Sequence, residues 1–462
     1  MALLEKLGSY LPVVSGPQQK KLPFKEKLKW TLLTLVLFYI LGLVPLFGLG
    51  ENALQQFEFL SIILGASFGS IISLGIGPLV TASIVLQLLN GTGILKLDLT
   101  TPEGKKKFQV LQKLGGVFFI ILEGAIYVLM GGLAPSAALV GTPLYAQLEM
   151  LLIFQLLLGG FLIMLMDEVI SKWGFGSGIS LFIVAGVAQQ IFVQAFNFLP
   201  SPTNPDIASG AIPAIFQSIS QGDLTTMALK LGAILSTVLV FAICVYGQAM
   251  KVEIPLSFGR VRGYGMRWPL NFFYTSNIPV ILVAALLANV QLFAQLLQRW
   301  GSSFLGTFNG SSPASGLVYW LNPPNLVQSV ITGSLTWTQV GQSAVYILVM
   351  MLGSIMFSVF WMQTAGMDAK SQAKQILASG LQIPGFRRDE RVLEKVLNRY
   401  IWPLTILGGA SIGLLAALAD LTGALSRGTG ILLAVMIVYK LYEEIAKQHM
   451  MDMNPGLKKF ME

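Results

Sequence analysis

The chain alternates long apolar runs with short polar segments. Ten of these runs approach the roughly 20 apolar residues that a helix needs to cross a bilayer. Backbone groups in hydrocarbon must satisfy their own hydrogen bonds, and runs of this length therefore predict helices rather than barrel strands. The runs predict an all-α polytopic membrane protein with ten transmembrane helices, at residues 30–49, 74–90, 114–132, 147–166, 178–198, 229–250, 278–298, 342–362, 401–419 and 430–445.

Composition agrees with this pattern, and the distribution of charge predicts the orientation of the chain in the membrane. Only 11% of the 462 residues are charged, against roughly 25% in soluble domains. An even number of crossings puts both termini on one side. All but three of the 30 Lys and Arg residues lie in the terminal segments and in alternate loops, at 91–113, 167–177, 251–277 and 363–400; the exceptions are Lys230, Arg299 and Arg427. The positive-inside rule makes the basic set, including both termini, cytoplasmic.

Two of the cytoplasmic loops, 251–277 and 363–400, are especially basic. Such loops bind anionic lipid headgroups in many membrane proteins. The alternative is a docking surface for an anionic partner such as ribosomal RNA. On the residues alone we favour lipid binding, because every cytoplasmic loop is expected to be basic.

The second run is interrupted. Residues 57–72 are apolar and rich in small residues but too short to cross, and a helix restarts at the segment Leu74-Gly-Ile-Gly-Pro78. Broken backbone at membrane depth occurs where protein or a water-filled cavity covers it. We therefore expect a re-entrant segment and a cavity that begins near residues 65–78. The alternative is an external loop that contains an amphipathic helix.

A weak internal repeat accompanies this interruption. The sequence Gly176-Ser-Gly-Ile-Ser-Leu opens the fifth run, and Gly428-Thr-Gly-Ile-Leu-Leu opens the tenth. The two runs enter the membrane from opposite sides. This relation predicts two inverted halves of five helices with the working site between them.

Signals for enzyme chemistry are weak. With Cys244 as the one cysteine and His449 as the one histidine, a disulfide or a His/Cys metal site is not expected. The segment Gly409-Ala-Ser-Ile-Gly413 resembles a hydrolase motif, but it lies in an apolar run without a His base, and we interpret it as a helix-packing Gly-x-x-x-Gly. Gly174-Phe-Gly-Ser-Gly178 lacks the Lys-Ser/Thr of a phosphate loop. We expect no enzyme activity, no cofactor and, from residues 1–29, no cleavable signal peptide.

Glu123 is the charged residue most clearly embedded in a span. Residues of this kind usually mark a pathway or a polar contact between helices. Thr81, Gln87 and Asn289 lie in other spans and are candidates for the same polar patch.

Several segments together resemble the SecY family, the large subunit of the bacterial and archaeal translocon and a relative of its endoplasmic-reticulum counterpart. The likeness runs nearly end to end and is closest to archaeal members. The segments are Lys25-Glu-Lys-Leu-Lys-Trp30, residues 75–89, Asp167-Glu168, residues 176–183, Val252-Glu-Ile-Pro255, Ser276-Asn-Ile-Pro-Val-Ile281, Ile383-Pro-Gly-Phe-Arg387 and residues 428–433.

The resemblance implies two five-helix halves around an hourglass pore. Its constriction would be an aliphatic ring that excludes water by dewetting, formed by Ile76, Val80, Ile179, Ile183, Ile281 and Leu433. A short plug helix would occupy residues 57–70, with the candidate plug residues Phe57, Leu60, Ile63, Leu64, Gly65, Phe68 and Gly69.

The resemblance also implies a lateral gate and several partners. The second and seventh spans would line the gate, with a polar cluster of Thr81, Gln87, Glu123 and Asn289. Ribosome docking would use Arg260, Arg262, Arg387 and Arg388. Expected partners are a SecE-like gamma subunit, a small beta subunit, a translating ribosome with the signal recognition particle pathway, preproteins with signal sequences, and membrane lipid. Ribosomal RNA contact is expected, without sequence-specific nucleic-acid binding.

The predicted organisation has a cytoplasmic segment at 1–29, a first half at 30–199, an external loop at 200–228, a second half at 229–447 and a cytoplasmic tail at 448–462. The main alternative function is a secondary transporter with inverted repeats. Such a transporter needs polar groups at the membrane midplane, whereas the centre predicted here is aliphatic. A structural scaffold would explain the spans but not the plug or the basic loops.

Overall fold

A computed structural model describes most of the chain. The described residues are 12–18, 22–52, 67–91, 94–95, 97, 101–200, 206–258, 265–275, 277–309, 312–378, 381–382, 389–426 and 428–453. Every structural statement below concerns these residues.

One helix occupies each of the ten predicted runs. In chain order they are α1 Phe24–Leu43, α2 Gly77–Gly91, α3 Pro102–Leu129, α4 Pro143–Trp173, α5 Gly178–Phe196, α6 Leu224–Ala249, α7 Ile278–Arg299, α8 Trp337–Thr364, α9 Glu390–Leu421 and α10 Gly428–Met453. Seven of them, α3 to α9, are long and apolar enough in themselves to cross a membrane, while α2 has the composition but is shorter. The all-α polytopic class is thereby confirmed.

Local chemistry sets where several helices begin. Proline occupies the first turn of α3, α4 and α7, where its missing N–H costs nothing. The Thr101 side chain caps α3 by accepting from Gly104 N at 3.1 Å. Thr336 and Gln339 form a reciprocal capping box at the start of α8. These signals fix helix ends that the apolar pattern leaves uncertain by several residues.

The two halves repeat one packing scheme. In the first half α1 packs against α5, α2 against α3, α3 against α4 and α4 against α5. The second half contains the equivalent pairs, α6 with α10, α7 with α8, α8 with α9 and α9 with α10. The halves meet where α2 packs against α7 and α8, and where α5 packs against α10. These four recurring pairs agree with the predicted division into two halves, whereas the packing of α1 against α4 has no counterpart of similar extent in the second half.

Glycines bring α9 unusually close to α8. A Cβ atom built at Gly409 would lie 2.5 Å from Ser358 Oγ, and one at Gly413 would lie 2.6 Å from the Met350 carbonyl oxygen. Only glycine fits at these distances. The Gly-x-x-x-Gly interpretation of this segment as a helix contact is therefore supported by the geometry.

The helices differ sharply in how much protein surrounds them. Most residues of α7 are buried, including the polar residues Asn289, Gln291 and Gln295. In contrast, α6 exposes large apolar side chains such as Leu235, Val238 and Phe241. An exposed apolar face of this extent suits lipid contact. α7 is therefore a central helix and α6 a peripheral one.

Short strands and helices in the loops were not predicted. The strands are β1 Glu51–Asn52, β2 Leu133–Ala134, β3 Lys251–Phe258, β4 Gly265–Asn271, β5 Thr307–Asn309, β6 Ser312–Ser315 and β7 Leu381–Gln382. Further helices are Ala211–Gln221, Leu317–Trp320, Leu326–Ile331, Ala369–Ala378 and the 3-10 turn Ala137–Leu139.

One three-stranded antiparallel sheet joins the two basic loops. Strand β3 pairs with β4 on one side and with β7 on the other. A separate hydrophobic cluster lies under this sheet and includes Ile254, Leu270, Ala373 and Leu397. The loops 251–277 and 363–400, which are distant in sequence, thus belong to one packed unit.

Candidate functional site

The six predicted ring residues lie at the meeting of the two halves. Ile76 directly precedes α2, Val80 is in its first turn, Ile179 and Ile183 are on α5, Ile281 is on α7 and Leu433 is on α10. Five are nearly inaccessible, with 0–6% of their surface exposed. Ile179 is partly exposed and packs against the same hydrophobic cluster that contains the other five. All six therefore belong to one hydrophobic cluster where the halves meet, and we call these six residues the candidate collar.

The interruption before α2 positions the first of these side chains. Gly75 has a φ of 57°, in the left-handed region that glycine adopts without strain. The chain turns there, and Val80 N then donates to the Ile76 carbonyl at 3.0 Å, which starts the helix. The restart predicted from the sequence thus places Ile76 and Val80 one turn apart.

A cavity of about 510 Å³ borders the collar. Val80, Ile179 and Ile281 line it. The remaining walls come from helix ends on the side of the basic loops, and their polar members include Gln112, Ser177, Thr364, Lys440 and Glu444. The space is therefore a vestibule with a largely apolar lining and some polar side chains, and it borders three of the candidate collar residues.

Three predicted gate residues form one hydrogen-bonded cluster across the seam between the halves. The Thr81 hydroxyl on α2 lies 3.0 Å from Glu123 Oε1 on α3, and it accepts from Asn289 Nδ2 on α7 at 2.9 Å. Glu123 and Asn289 are buried. The Thr81 hydroxyl also lies 2.9 Å from the Gly77 carbonyl of its own helix. Thr81 is the central member of the cluster.

The structure separates Gln87 from this cluster, contrary to the prediction. It lies six residues after Thr81, which is about 9 Å along the helix and a different helical face. Gln87 lines the vestibule instead, as do Ser83 and Gln112, whose side chains bond at 2.6 Å. The sequence pattern grouped it by residue type, whereas position along α2 decides its surroundings.

The candidate plug falls mostly outside the described residues, which is where Phe57, Leu60, Ile63, Leu64 and Gly65 lie. Phe68 and Gly69 are described. The Gly69 carbonyl accepts from Leu46 N at 2.9 Å, and Ile71 N donates to the Val44 carbonyl at 3.0 Å.

The segment after the candidate plug is thus tied to the end of α1. It also approaches α4 closely, because a Cβ at Gly159 would lie 1.8 Å from the Ile71 carbonyl oxygen. The re-entrant interpretation is supported on this side of the interruption.

The four candidate docking residues, Arg260, Arg262, Arg387 and Arg388, also lie outside the described residues. Their flanking strands are described. The first pair falls between β3 and β4, and the second pair follows β7, which pairs with β3. Lys251 at the start of β3 forms an ion pair of 3.2 Å with Glu443 on α10, so this sheet is also held to the helix bundle.

The sequence analysis did not identify two residues whose side chains join helices in the structure. Arg299 in the last turn of α7 donates from Nη1 to the Gly131 carbonyl after α3 at 2.5 Å, a second polar contact between the halves. Asp420 on α9 is buried and accepts hydrogen bonds from α8 and α10. Their signals were present: Arg299 is an exception to the charge rule, and Asp420 follows a predicted span by one residue.

Among the described residues, no group of three or more His, Cys, Asp or Glu side chains is arranged to hold a metal ion. The candidate site consists of an aliphatic cluster, an adjoining vestibule and hydrogen bonds between the halves.

Comparison with known proteins accounts for this combination. The profile of the SecY family matches residues 70–442, which is most of the chain. The protein translocase subunit SecY of Methanothermobacter thermautotrophicus is 46% identical, over 99% of this chain and 98% of its own length. The chain belongs to the SecY family.

Solved structures agree with the SecY assignment. One, described by the role of the SecY plug domain in stabilising the closed translocation channel, has a TM-score of 0.81 and 39% identity, with 98% of each chain covered. Another is Sec61 in the canine ribosome–channel complex of the endoplasmic reticulum, with a TM-score of 0.79, 38% identity and the same coverage. The chain is therefore a multi-pass membrane protein and the pore-forming subunit of a channel, not a secondary transporter.

Proposed function

We propose that this chain passes secretory polypeptides across the cell membrane through the aliphatic collar, with both termini in the cytoplasm. The main observation in support of this proposal is the vestibule of about 510 Å³, which is lined in part by Val80, Ile179 and Ile281. The orientation is supported by the charge distribution, because the vestibule lies on the side of the basic loops. A polypeptide would enter through the vestibule and cross at the collar.

The collar suits a channel that must pass many sequences and yet hold back ions. Aliphatic side chains offer no specific hydrogen bonds to a passing chain. A narrow aliphatic constriction also repels water, and ions then meet a barrier. The near-complete burial of Ile183 and Leu433 supports a closed collar in this conformation.

The seam between α2, α3 and α7 is our proposed lateral gate, through which hydrophobic segments enter the lipid. It is supported by the polar contacts that join α7 to α2 and to the end of α3, namely the cluster around Thr81 and the bond from Arg299 to Gly131, which are weak enough to break. Hydrogen bonds between membrane helices contribute about 1 kcal/mol or less each. A signal sequence that buries many apolar side chains would outweigh them.

The proposed partners of the channel are a ribosome on the cytoplasmic side and small subunits in the membrane. A translating ribosome would dock on the sheet that joins loops 251–277 and 363–400, through Arg260 and Arg262 in the segment between β3 and β4 and through Arg387 and Arg388 in the segment after β7. The Sec61 relative is described in a ribosome–channel complex. A SecE-like gamma subunit, a small beta subunit and the signal recognition particle pathway complete the proposal. The driving energy would come from the ribosome or from a separate motor.

Residues 57–70 are our proposed plug. The proposal is supported by the anchoring of residues 69–71 to the end of α1, which would hold one end of a movable segment at the external side of the collar. The plug would leave the pore when a polypeptide enters.

A polar substitution in the collar tests the proposed pore. We expect Ile281→Asn to raise the ion leak per reconstituted channel at least about tenfold, the effect of lowering a barrier by ~1.4 kcal/mol, because an amide retains water in the constriction. The matched control is Leu156→Asn, equally buried but on α4 away from the collar. Leak in neither variant, or equal leak in both, would contradict the proposed collar.

A further inference from the structure

Two carboxylates occupy corresponding places in the two halves. Asp167 lies near the C-terminal end of α4, and Asp420 lies near that of α9. Each therefore precedes the helix that opens with Gly-x-Gly-Ile, namely α5 in the first half and α10 in the second. The proposed pore uses neither residue.

Each carboxylate accepts a hydrogen bond from the first turn of the next helix. Asp167 Oδ1 accepts from Ile179 N at 3.0 Å, and Asp420 Oδ1 accepts from Thr429 N at 2.7 Å. The Thr429 hydroxyl also donates to Asp420 Oδ2, and that oxygen accepts from the Tyr346 hydroxyl on α8 at 2.6 Å. Asp420, Tyr346 and Thr429 are all buried. The second anchor thus connects three helices.

The backbones at these anchors are in close contact. A Cβ at Gly178 would lie 2.6 Å from Asp167 Cα, and one at Gly428 would lie 2.1 Å from the Ala419 carbonyl carbon. Glycine permits the approach, and the carboxylate then satisfies an N–H group that would otherwise lack a helical partner. The close approach involves the second glycine of the first motif and the first glycine of the second motif, so the two copies are similar but not identical in detail. In both halves the helix that the motif opens is held against the preceding one.

Both anchored helices carry collar residues directly after the anchor. Ile179, whose own N–H is bound by Asp167, is one collar residue, and Ile183 follows one turn later. Leu433 lies four residues after Thr429, on the same face of α10. Because an α-helix is rigid over one turn, an anchor at its first N–H groups sets where these side chains lie.

We propose that Asp167 and Asp420 are positioning residues of the collar, one for each half. Each carboxylate holds the first turn of a collar helix against the helix before it, and so keeps Ile179, Ile183 and Leu433 in the ring. This inference rests on the proposed collar.

Ordinary helix caps elsewhere in the chain provide the contrast. The Asp223 side chain accepts from Thr226 N at 3.1 Å and the Asp389 side chain from Arg391 N at 2.9 Å. Both residues directly precede the helices that they cap, α6 and α9. Asp167 and Asp420 instead reach their partners from 12 and 9 residues earlier in the chain, on another helix. They therefore hold two helices together in addition to capping the start of one of them.

The test compares the ion leak per assembled channel in reconstituted complexes. We expect Asp167→Ala and Asp420→Ala each to raise this leak about tenfold, as expected when a buried hydrogen bond to a charged group is lost. Asp420→Asn should leak less than Asp420→Ala, because an amide oxygen still accepts from Thr429 N. Asp223→Ala is the matched control and should stay at the wild-type leak, because α6 carries no collar residue.

The outcomes separate this inference from the collar itself. If Ile281→Asn leaks while Asp167→Ala and Asp420→Ala stay at the level of Asp223→Ala, the collar stands and the positioning role is overturned. If Ile281→Asn does not raise the leak either, the proposed collar itself is contradicted, and the positioning role falls with it. A merely structural role would lower the yield of folded complex without changing the leak per channel, and that result also overturns the inference.

Conservative variants keep the test available if an alanine variant does not assemble. Tyr346→Phe and Thr429→Val each remove one hydroxyl from the Asp420 anchor and retain the shape of the side chain. Both should raise the leak by a smaller factor than the loss of the carboxylate. A wild-type leak in both variants would count against the anchor in the second half.

Discussion

Thr81 shows how one side chain can stabilise a seam that must also open. Its hydroxyl has one proton and two acceptors within reach, Glu123 Oε1 on the neighbouring helix and the Gly77 carbonyl on its own. When the seam separates, the bond from Asn289 on α7 is lost, but the Thr81 hydroxyl keeps both of these acceptors, because they lie on α2 and α3 of its own half. Serine and threonine commonly use this local bond in helices. Opening therefore does not leave this hydroxyl unsatisfied, which keeps the cost of opening low.

Removal of the Thr81 hydroxyl should make the gate easier to open. Thr81→Val removes the central atom of the cluster and should weaken the closed seam by about 1 kcal/mol. That change corresponds to a several-fold rise in the open population. We expect a matching rise in transport of a precursor with a defective signal sequence, measured in proteoliposomes.

The matched control for this prediction is Thr34→Val. Thr34 is another threonine in a membrane helix, and it is buried, but its hydroxyl bonds to the Trp30 carbonyl of its own helix α1. Equal transport in both variants, or unchanged signal-sequence selectivity in Thr81→Val, would contradict the role of the cluster.

Sequence reasoning at the residue scale found polar sites better than apolar ones. Glu123 is conspicuous in an apolar run, and the prediction that it shares contacts with Thr81 and Asn289 agrees with the structure. The collar residues are aliphatic and cannot be told from core residues by pattern, so only the family resemblance selected them. Gln87 was misplaced because residue type does not report which face of α2 it occupies.

At the scale of elements, length and hydropathy predicted each of the ten helices but not the loops between them. A long apolar run has few alternatives to a helix in a bilayer. Strands β3 and β4 are short, lie outside the membrane and depend on pairing with each other and with β7. Strand β7 lies more than 100 residues after β3 in the chain, and pairing between such distant strands leaves no local signal. The sheet therefore could not be read from the two basic loops.

The sheet leads to a prediction about docking. Charge reversal by Arg260→Glu and Arg387→Glu should each lower the affinity for ribosomes about tenfold at moderate ionic strength, because both would repel the phosphate backbone of RNA. The effect should shrink as salt rises, since exposed charges are screened. Binding of ribosomes to reconstituted complexes over a salt series measures both expectations.

A basic residue on the opposite side of the membrane serves as the control. Lys230→Glu makes the same change of charge near the start of α6, in the segments that we predict to be external. It should leave ribosome affinity unchanged. A uniform loss in all three variants would indicate a net-charge effect and would argue against a docking surface on the sheet.

At the scale of the whole molecule, the two halves meet through a few pairs of helices. α2 packs against α7 and α8, α5 packs against α10, and the collar lies between these contacts. The sequence shows the inverted repeat as two short glycine motifs, but it does not show how the helices that follow these motifs are packed. Asp167 and Asp420 lie outside those motifs, and only the structure shows that they hold the two helices that the motifs open.

The central claim is that a translocating polypeptide passes through the aliphatic collar. The most direct measurement places a photo-crosslinker at Ile76 or Ile281 in the reconstituted complex and stalls a secretory nascent chain in it. Leu156, equally buried but away from the collar, is the control position. We predict strong crosslinks from Ile76 and Ile281, only when the nascent chain has a signal sequence, and none from Leu156. No crosslink from either collar position, with ribosome binding demonstrated, would contradict the claim.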